Sequence, residues 1–119
     1  MTAKDSFGSL IERYNALSVP DQLILQAQSA LMEEVPARTT ASCLVKADCR
    51  ESPHRAFSPQ IVLTRLMRLA HKDLVRERRA ASRGGEDRLW SCQPEVGEIA
   101  LRHAVRDGHF FPLAKAVLD

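Results

Sequence analysis

The sequence predicts an α+β domain, mostly helical, with one two-stranded β-hairpin and flanking N- and C-terminal helices. Three observations carry that prediction. Apolar residues recur at helical spacing in several stretches, most of them preceded by a residue able to cap a helix. One segment, 74–92, alternates instead and is interrupted by a glycine pair. The chain has 119 residues, 45% hydrophobic and 27% charged. That suits one domain, 1–119, with enough apolar material to offset the entropy of ordering it.

Taken in order, Asp5 or Ser6 is placed to cap a first helix whose face is Phe7, Leu10, Ile11, Tyr14 and Leu17. Ser18-Val19-Pro20-Asp21 is a second start: Ser18 caps, Pro20 suits the first turn, and Asp21 is the acidic capping-box partner. Leu23, Ile24, Ala27, Ala30 and Leu31 continue that stripe until Glu33, Glu34 and Pro36 end it. Thr39 or Thr40 caps a short third helix, 41–47, with Leu44 and Val45 inward. Residues 49–57 hold Pro53 and no periodicity, and read as a turn or loop.

Ser58-Pro59 is the clearest helix start in the chain. Val62, Leu63, Leu66, Met67, Leu69 and Ala70 then form a core stripe, with Gln60, Thr64, Arg65, Arg68 and Lys72 largely opposite. Residues 74–78 and 88–92 alternate as two strands around a basic tip, 80–87, where Gly84-Gly85 can supply positive φ. An unbroken helix over 59–79 is the alternative. Val96, Ile99, Ala100, His103 and Ala104 suit a further helix stopped by Gly108, and Phe110-Phe111-Pro112 leads into a last apolar stripe. The pattern stops at Asp119. A short terminal helix packed on the body and a chain that continues or docks on a partner both fit.

The net charge of +2 is unevenly spread. Residues 1–34 carry −3, residues 35–64 carry +2, residues 65–88 carry +4, and residues 89–119 carry −1. The basic charge is thus focused on one segment of 24 residues, an electrostatic footprint for an anionic partner.

The order helix, helix, loop, capped helix, strand, basic glycine tip, strand, helix resembles the winged helix-turn-helix superfamily. The resemblance covers about residues 20–106 and is strongest over 58–92. Leu66, Leu69, Leu74-Val75, Gly84-Gly85 and Leu89-Trp90 stand where that family has a leucine-rich helix, the opening of the first wing strand, the tip and the returning strand. Lys72-Asp73 departs from it where a glycine often makes the helix-to-strand turn, and 49–57 is longer than a tight turn. The resemblance implies double-stranded DNA as partner, read by the capped helix and gripped by the wing. The residues it nominates are Gln60, Thr64, Arg65, Arg68 and Lys72 on the helix, Arg76, Arg78, Arg79 and Arg83 on the wing, and Arg55 just before them. Gln and Arg offer bidentate hydrogen bonds to adenine and guanine edges, and wing arginines reach phosphates. Winged helices also serve as protein-interaction modules without DNA. Here helix 7–17 or 96–106 with the Phe110-Phe111 segment is the candidate surface for another protein, and the terminal helices, 7–17 and 110–118, are the candidates for a homodimer.

Other classes fit less well. Cys43, Cys49, His54 and Cys92 lack the spacing of common zinc sites, so no metal and no cofactor are expected. His103 and His109 have no nucleophile or acid motif beside them, so no catalytic residue and no enzyme are expected. His103 suits a helix–helix contact. The three cysteines cannot all pair within one chain, and residues 1–10 have no apolar signal region. Reduced thiols and a cytoplasmic location are the expectation. No apolar run approaches the length of a membrane span.

Overall fold

The computed structural model describes residues 3–82 and 85–118. Six helices and two antiparallel hairpins follow one another in the order α1 (Ala3–Asn15), α2 (Val19–Leu31), α3 (Ala37–Lys46), β1 (Arg50–Ser52), β2 (Arg55–Ala56), α4 (Pro59–His71), β3 (Val75–Ser82), β4 (Gly85–Cys92), α5 (Pro94–Asp107) and α6 (Phe110–Leu118). The α+β class and its helical majority are therefore as expected.

α2 is the central element. Leu23, Ile24, Leu25, Gln26, Ala27, Gln28 and Ser29 are consecutive and all buried. A helix buried around its whole circumference needs neighbours on every side. α2 has them in α3, α4, α5, α6, β1 and β4. Tyr14, Leu44, Leu66, Leu69, Trp90 and Leu113, from five different elements, complete a single core around it.

Several caps differ from expectation, each for a local reason. α1 begins ahead of Asp5 and Ser6, so neither residue starts it; the Phe7 side chain lies outside the described residues. Leu10, Tyr14 and Leu17 turn inward, whereas Ile11 is exposed. Ser18 precedes α2 but makes no side-chain cap, and Asp21 is drawn away to Arg65. α3 starts at Ala37 behind Pro36, four residues earlier than expected. Thr40 is not its cap: it is fully buried in the second turn and accepts from Gln28 Nε2 at 2.8 Å. Val45 and Met67, placed on the core stripes, are exposed.

Residues 49–57 are not a plain loop. β1 and β2 form a small hairpin with Arg50 opposite Ala56 and Ser52 opposite Arg55. Pro53 occupies the turn that joins them, a position its fixed φ favours. Strands of three and two residues are too short to reveal an alternation in sequence.

α4 starts at Pro59 and ends at His71, so it does not continue to 79. Asp73 adopts φ +58° and turns the chain into β3, taking the left-handed position often given to glycine. Leu74 N–H donates to Leu69 carbonyl oxygen and fastens that turn. The β3–β4 ladder runs from Val75↔Cys92 to Ser82↔Gly85. The strands therefore extend through much of the expected tip; Arg83 and Gly84 lie outside the described residues. Val35, in the α2–α3 connection, pairs with Trp90 through Val35 N–H to Trp90 oxygen at 3.1 Å and the reciprocal bond at 2.8 Å. That bridge places the base of the hairpin beside the start of α3. Gly108 ends α5 at φ +81°, in its expected role.

The contrast between two serines is testable. Ser58 Oγ accepts the Ile61 N–H at 3.2 Å, whereas Ser18 makes no such bond. Ser58→Ala should lower the unfolding free energy by about 1 kcal/mol and Ser18→Ala by close to none, read from urea denaturation midpoints at constant slope.

Candidate nucleic-acid interface

The outward side of α4 follows from its buried side. Val62, Leu66 and Leu69 point into the core, so Gln60, Thr64, Arg68 and His71 are carried to the surface. Five of the nominated residues, Arg55, Gln60, Thr64, Arg65 and Arg68, line one open cleft of about 200 Å³, together with Glu51 and Ile61. The β1–β2 hairpin delivers Arg55 and Glu51 to it.

Within the cleft the three arginines differ. Arg65 donates to Asp21 Oδ1 at 3.0 Å and to Glu51 Oε1 at 3.5 Å, with its side chain 19% exposed. It is not on the open side as expected. An arginine held by two carboxylates is committed to them, since a partly desolvated pair is costly to break. Arg65 thereby pins α4 to α2 and to β1. Arg55 is largely exposed, 3.8 Å from Glu51 Oε2. Arg68 is exposed and has no carboxylate within ion-pair distance among the described residues. Thr64 Oγ1 donates back to the Gln60 carbonyl at 3.0 Å and keeps lone pairs for an incoming donor. Lys72 follows the last turn of α4 and is exposed.

The hairpin carries the rest. Arg76 and Arg78 share one face of β3, and Glu77 and Arg79 share the other. Arg76 is exposed, with no carboxylate partner among the described residues. Arg78 is paired with Glu34 at 2.7 Å and Arg79 with Glu77 at 3.7 Å. Both pairs are solvent-exposed, worth about 0–1 kcal/mol, and readily exchanged for a phosphate. Arg83 lies outside the described residues. Arg88, not nominated, joins Glu77 and stacks over Trp90, 5.1 Å from the ring centroid.

Residues that sequence reasoning passed over are Asp21, Glu51 and Arg38. Asp21 carried the signature of a capping residue, and only the fold brings it to Arg65. Glu51 lay in a stretch with no periodicity. Arg38 is on α3, 3.4 Å from Asp87.

The other nominated chemistry is dispersed. Among the described residues no group of three or more His, Cys, Asp or Glu gathers as a metal site. Burial pushes the Cys43 thiol up to about 11 and the Cys92 thiol up to about 12, and raises Cys49 as well. All three are free thiols that stay protonated and behave as small apolar groups. His103 packs on Tyr14, ring centroids 4.6 Å apart, so the helix–helix contact expected for it is the one between α1 and α5. Burial first, and then Arg106, lowers its pKa. His109 Nδ1 lies 3.0 Å from Gln26 Oε1, and Gln26 Nε2 donates to the Tyr14 hydroxyl at 3.0 Å. Burial pushes that phenol up to about 12, so it serves as a neutral hydrogen-bonding group. No helix is long and apolar enough to cross a membrane among the described residues.

No family model, curated protein or solved structure matches the chain. The surface chemistry and the order of the elements therefore carry the functional reading.

Removing Arg65 leaves Asp21 and Glu51 sharing a partly buried site with no guanidinium between them. Arg65→Met should cost about 2–3 kcal/mol in urea unfolding, and the double variant with Asp21→Asn should recover part of that loss. A near-zero cost for the single variant would show that the ion pair does not hold α4 in place.

Proposed function

We propose that this chain is a DNA-binding module of the winged helix-turn-helix kind, either a small regulator or the DNA-contacting part of a longer protein. α4 is its reading helix and β3–β4 its wing. The carrying observation is the cleft on α4 where Gln60, Thr64, Arg68 and Arg55 meet, with Arg68 unpaired among the described residues. A polar helix face of this width fits the major groove of B-DNA. Gln60 and Arg68 are the base readers in this reading. Thr64 supports them, Arg55 and Lys72 flank them, and Arg65 positions the helix. Arg76, Arg78 and Arg79 bind phosphates from the wing. The order α2, α3, α4, β3, β4, α5 and the Val35–Trp90 bridge at the hairpin base support the same arrangement.

A second observation favours a protein contact as well. α6 leaves Phe111 83% and Leu118 87% exposed, with Phe110 and Val117 partly so. Such an apolar helix face suits a homodimer or another protein partner. In the alternative reading that contact is the whole function and DNA plays no part. In the first it pairs two reading helices on one duplex.

Fluorescence anisotropy against random duplex DNA across a salt series separates the two. With about four to six phosphates contacted, log affinity should fall with log salt at a slope of roughly −4 to −5. Arg68→Ala should cost about 1–3 kcal/mol on a selected site and much less on random duplex. Arg78→Ala should weaken both alike. Absence of binding at low salt by folded protein would leave the protein-contact reading standing alone.

A further inference from the structure

A second cleft, of about 380 Å³, lies between the start of α3, the start of α4 and strand β4. Its lining collects hydrogen-bond donors from three elements. α3 is capped by Pro36, which has no polar side chain, and neither the Ala37 nor the Arg38 N–H finds a backbone acceptor among the described residues. In α4, Ser58 takes the Ile61 N–H and Pro59 has none, so the Gln60 N–H is the one left over. The cleft thus faces two helix N-termini, each with a partial positive charge.

The third element supplies an independent sign of a ligand. Trp90 lines the cleft and is 1% exposed, yet its Nε1–H has no acceptor among the described residues. A buried indole donor is ordinarily satisfied, and leaving it unpaired costs free energy that an acceptor would restore. The Arg38 guanidinium borders the same space, as does Arg88, which is already held by Glu77. Asp87 is the single carboxylate in the lining, held loosely to Arg38 at 3.4 Å while Arg38 stays 63% exposed.

We infer that this cleft is a phosphate site, taking one tetrahedral oxyanion on the free N–H groups of α3 and α4, the Trp90 indole, and Arg38. The phosphate belongs either to a free phosphomonoester or to the backbone of a duplex. The space exceeds what one phosphate fills, so an ester with a small organic body also fits. The inference stands apart from base reading by α4, because its donors sit at the N-termini and on β4 rather than along the outer face of that helix.

The experiment is an amide and indole NMR titration of the full chain with inorganic phosphate, against chloride at equal ionic strength. The Trp90 indole N–H and the Ala37, Arg38 and Gln60 amides should shift together and saturate, with a dissociation constant on the order of millimolar. Asp87→Asn should tighten binding and Arg38→Gln should weaken it, each by roughly three- to tenfold. Both positions are on the surface, so neither change threatens folding. Shifts confined to other arginines, or unsaturated drift at these four groups, would overturn the inference. If a short duplex then displaces phosphate from these four groups, the phosphate source is the DNA backbone. If phosphate binds with no competition from duplex, the source is a free ester, and the site stands even where the salt series shows no DNA affinity.

Discussion

The arrangement depends on one constraint: α2 is buried on every side yet carries Asp21, Gln22, Gln26, Gln28 and Ser29. Polar groups inside a core must be satisfied or the fold loses more than it gains. Partners from α1, α3, α4, β4 and the residue ahead of α6 meet them, although Gln28 Oε1 finds none among the described residues. Asp21 takes Arg65 from α4, and Gln22 and Gln26 take the backbone and hydroxyl of Tyr14 from α1. Gln26 also reaches His109 ahead of α6, Gln28 holds Thr40 on α3, and Ser29 meets Cys92 at the end of β4. Hydrophobic burial brings these elements to α2. The polar matches select which residue of each faces it, and so set the rotation of α1, α3 and α4 against it.

The candidate interface inherits its shape from that scheme. Arg65 locks one edge of α4 to α2, while the β1–β2 hairpin adds Glu51 to the same lock. With that edge fixed, Gln60, Thr64 and Arg68 have only the outward direction. The other edge of α4 meets the hairpin, where Arg88 donates toward Met67 Sδ at 3.9 Å. One arginine thus orients the helix so that another can remain without a carboxylate. Charge that would otherwise sit as a uniform basic patch is divided between holding and presenting.

The helices were legible because they depend on local spacing. The 3.6-residue stripe of α4, Ser58-Pro59 before it and Gly108 after α5 are each a short-range signal. The hairpin was legible through its alternation, although its length was not, because Ala80 and Ala81 look like turn residues until paired with Asp87 and Glu86. What escaped was whatever a distant residue decides. Asp21 and Thr40 have the chemistry of caps, and both are claimed by partners, one 44 positions away in Arg65 and one 12 positions away in Gln28. Asp73 stands where a glycine was the familiar solution, and its φ of +58° shows the same turn made by a residue that tolerates the left-handed region. Of the site, the outer face of α4 was readable from the stripe on its inner face. The recruitment of Arg65 into the interior was not.

The two-hydrogen-bond bridge between Val35 and Trp90 has a consequence for motion. It pins the proximal half of β4 to the connection before α3, and the indole beneath it is packed in the core. Backbone amides near Trp90 should open only with large-scale unfolding, whereas the rungs beyond Ala80↔Asp87 have no third strand beside them among the described residues. Amide protection should therefore fall steeply along the hairpin from base to far end. A hairpin built this way bends as a cantilever, rigid where it joins the body and less constrained along its outer rungs.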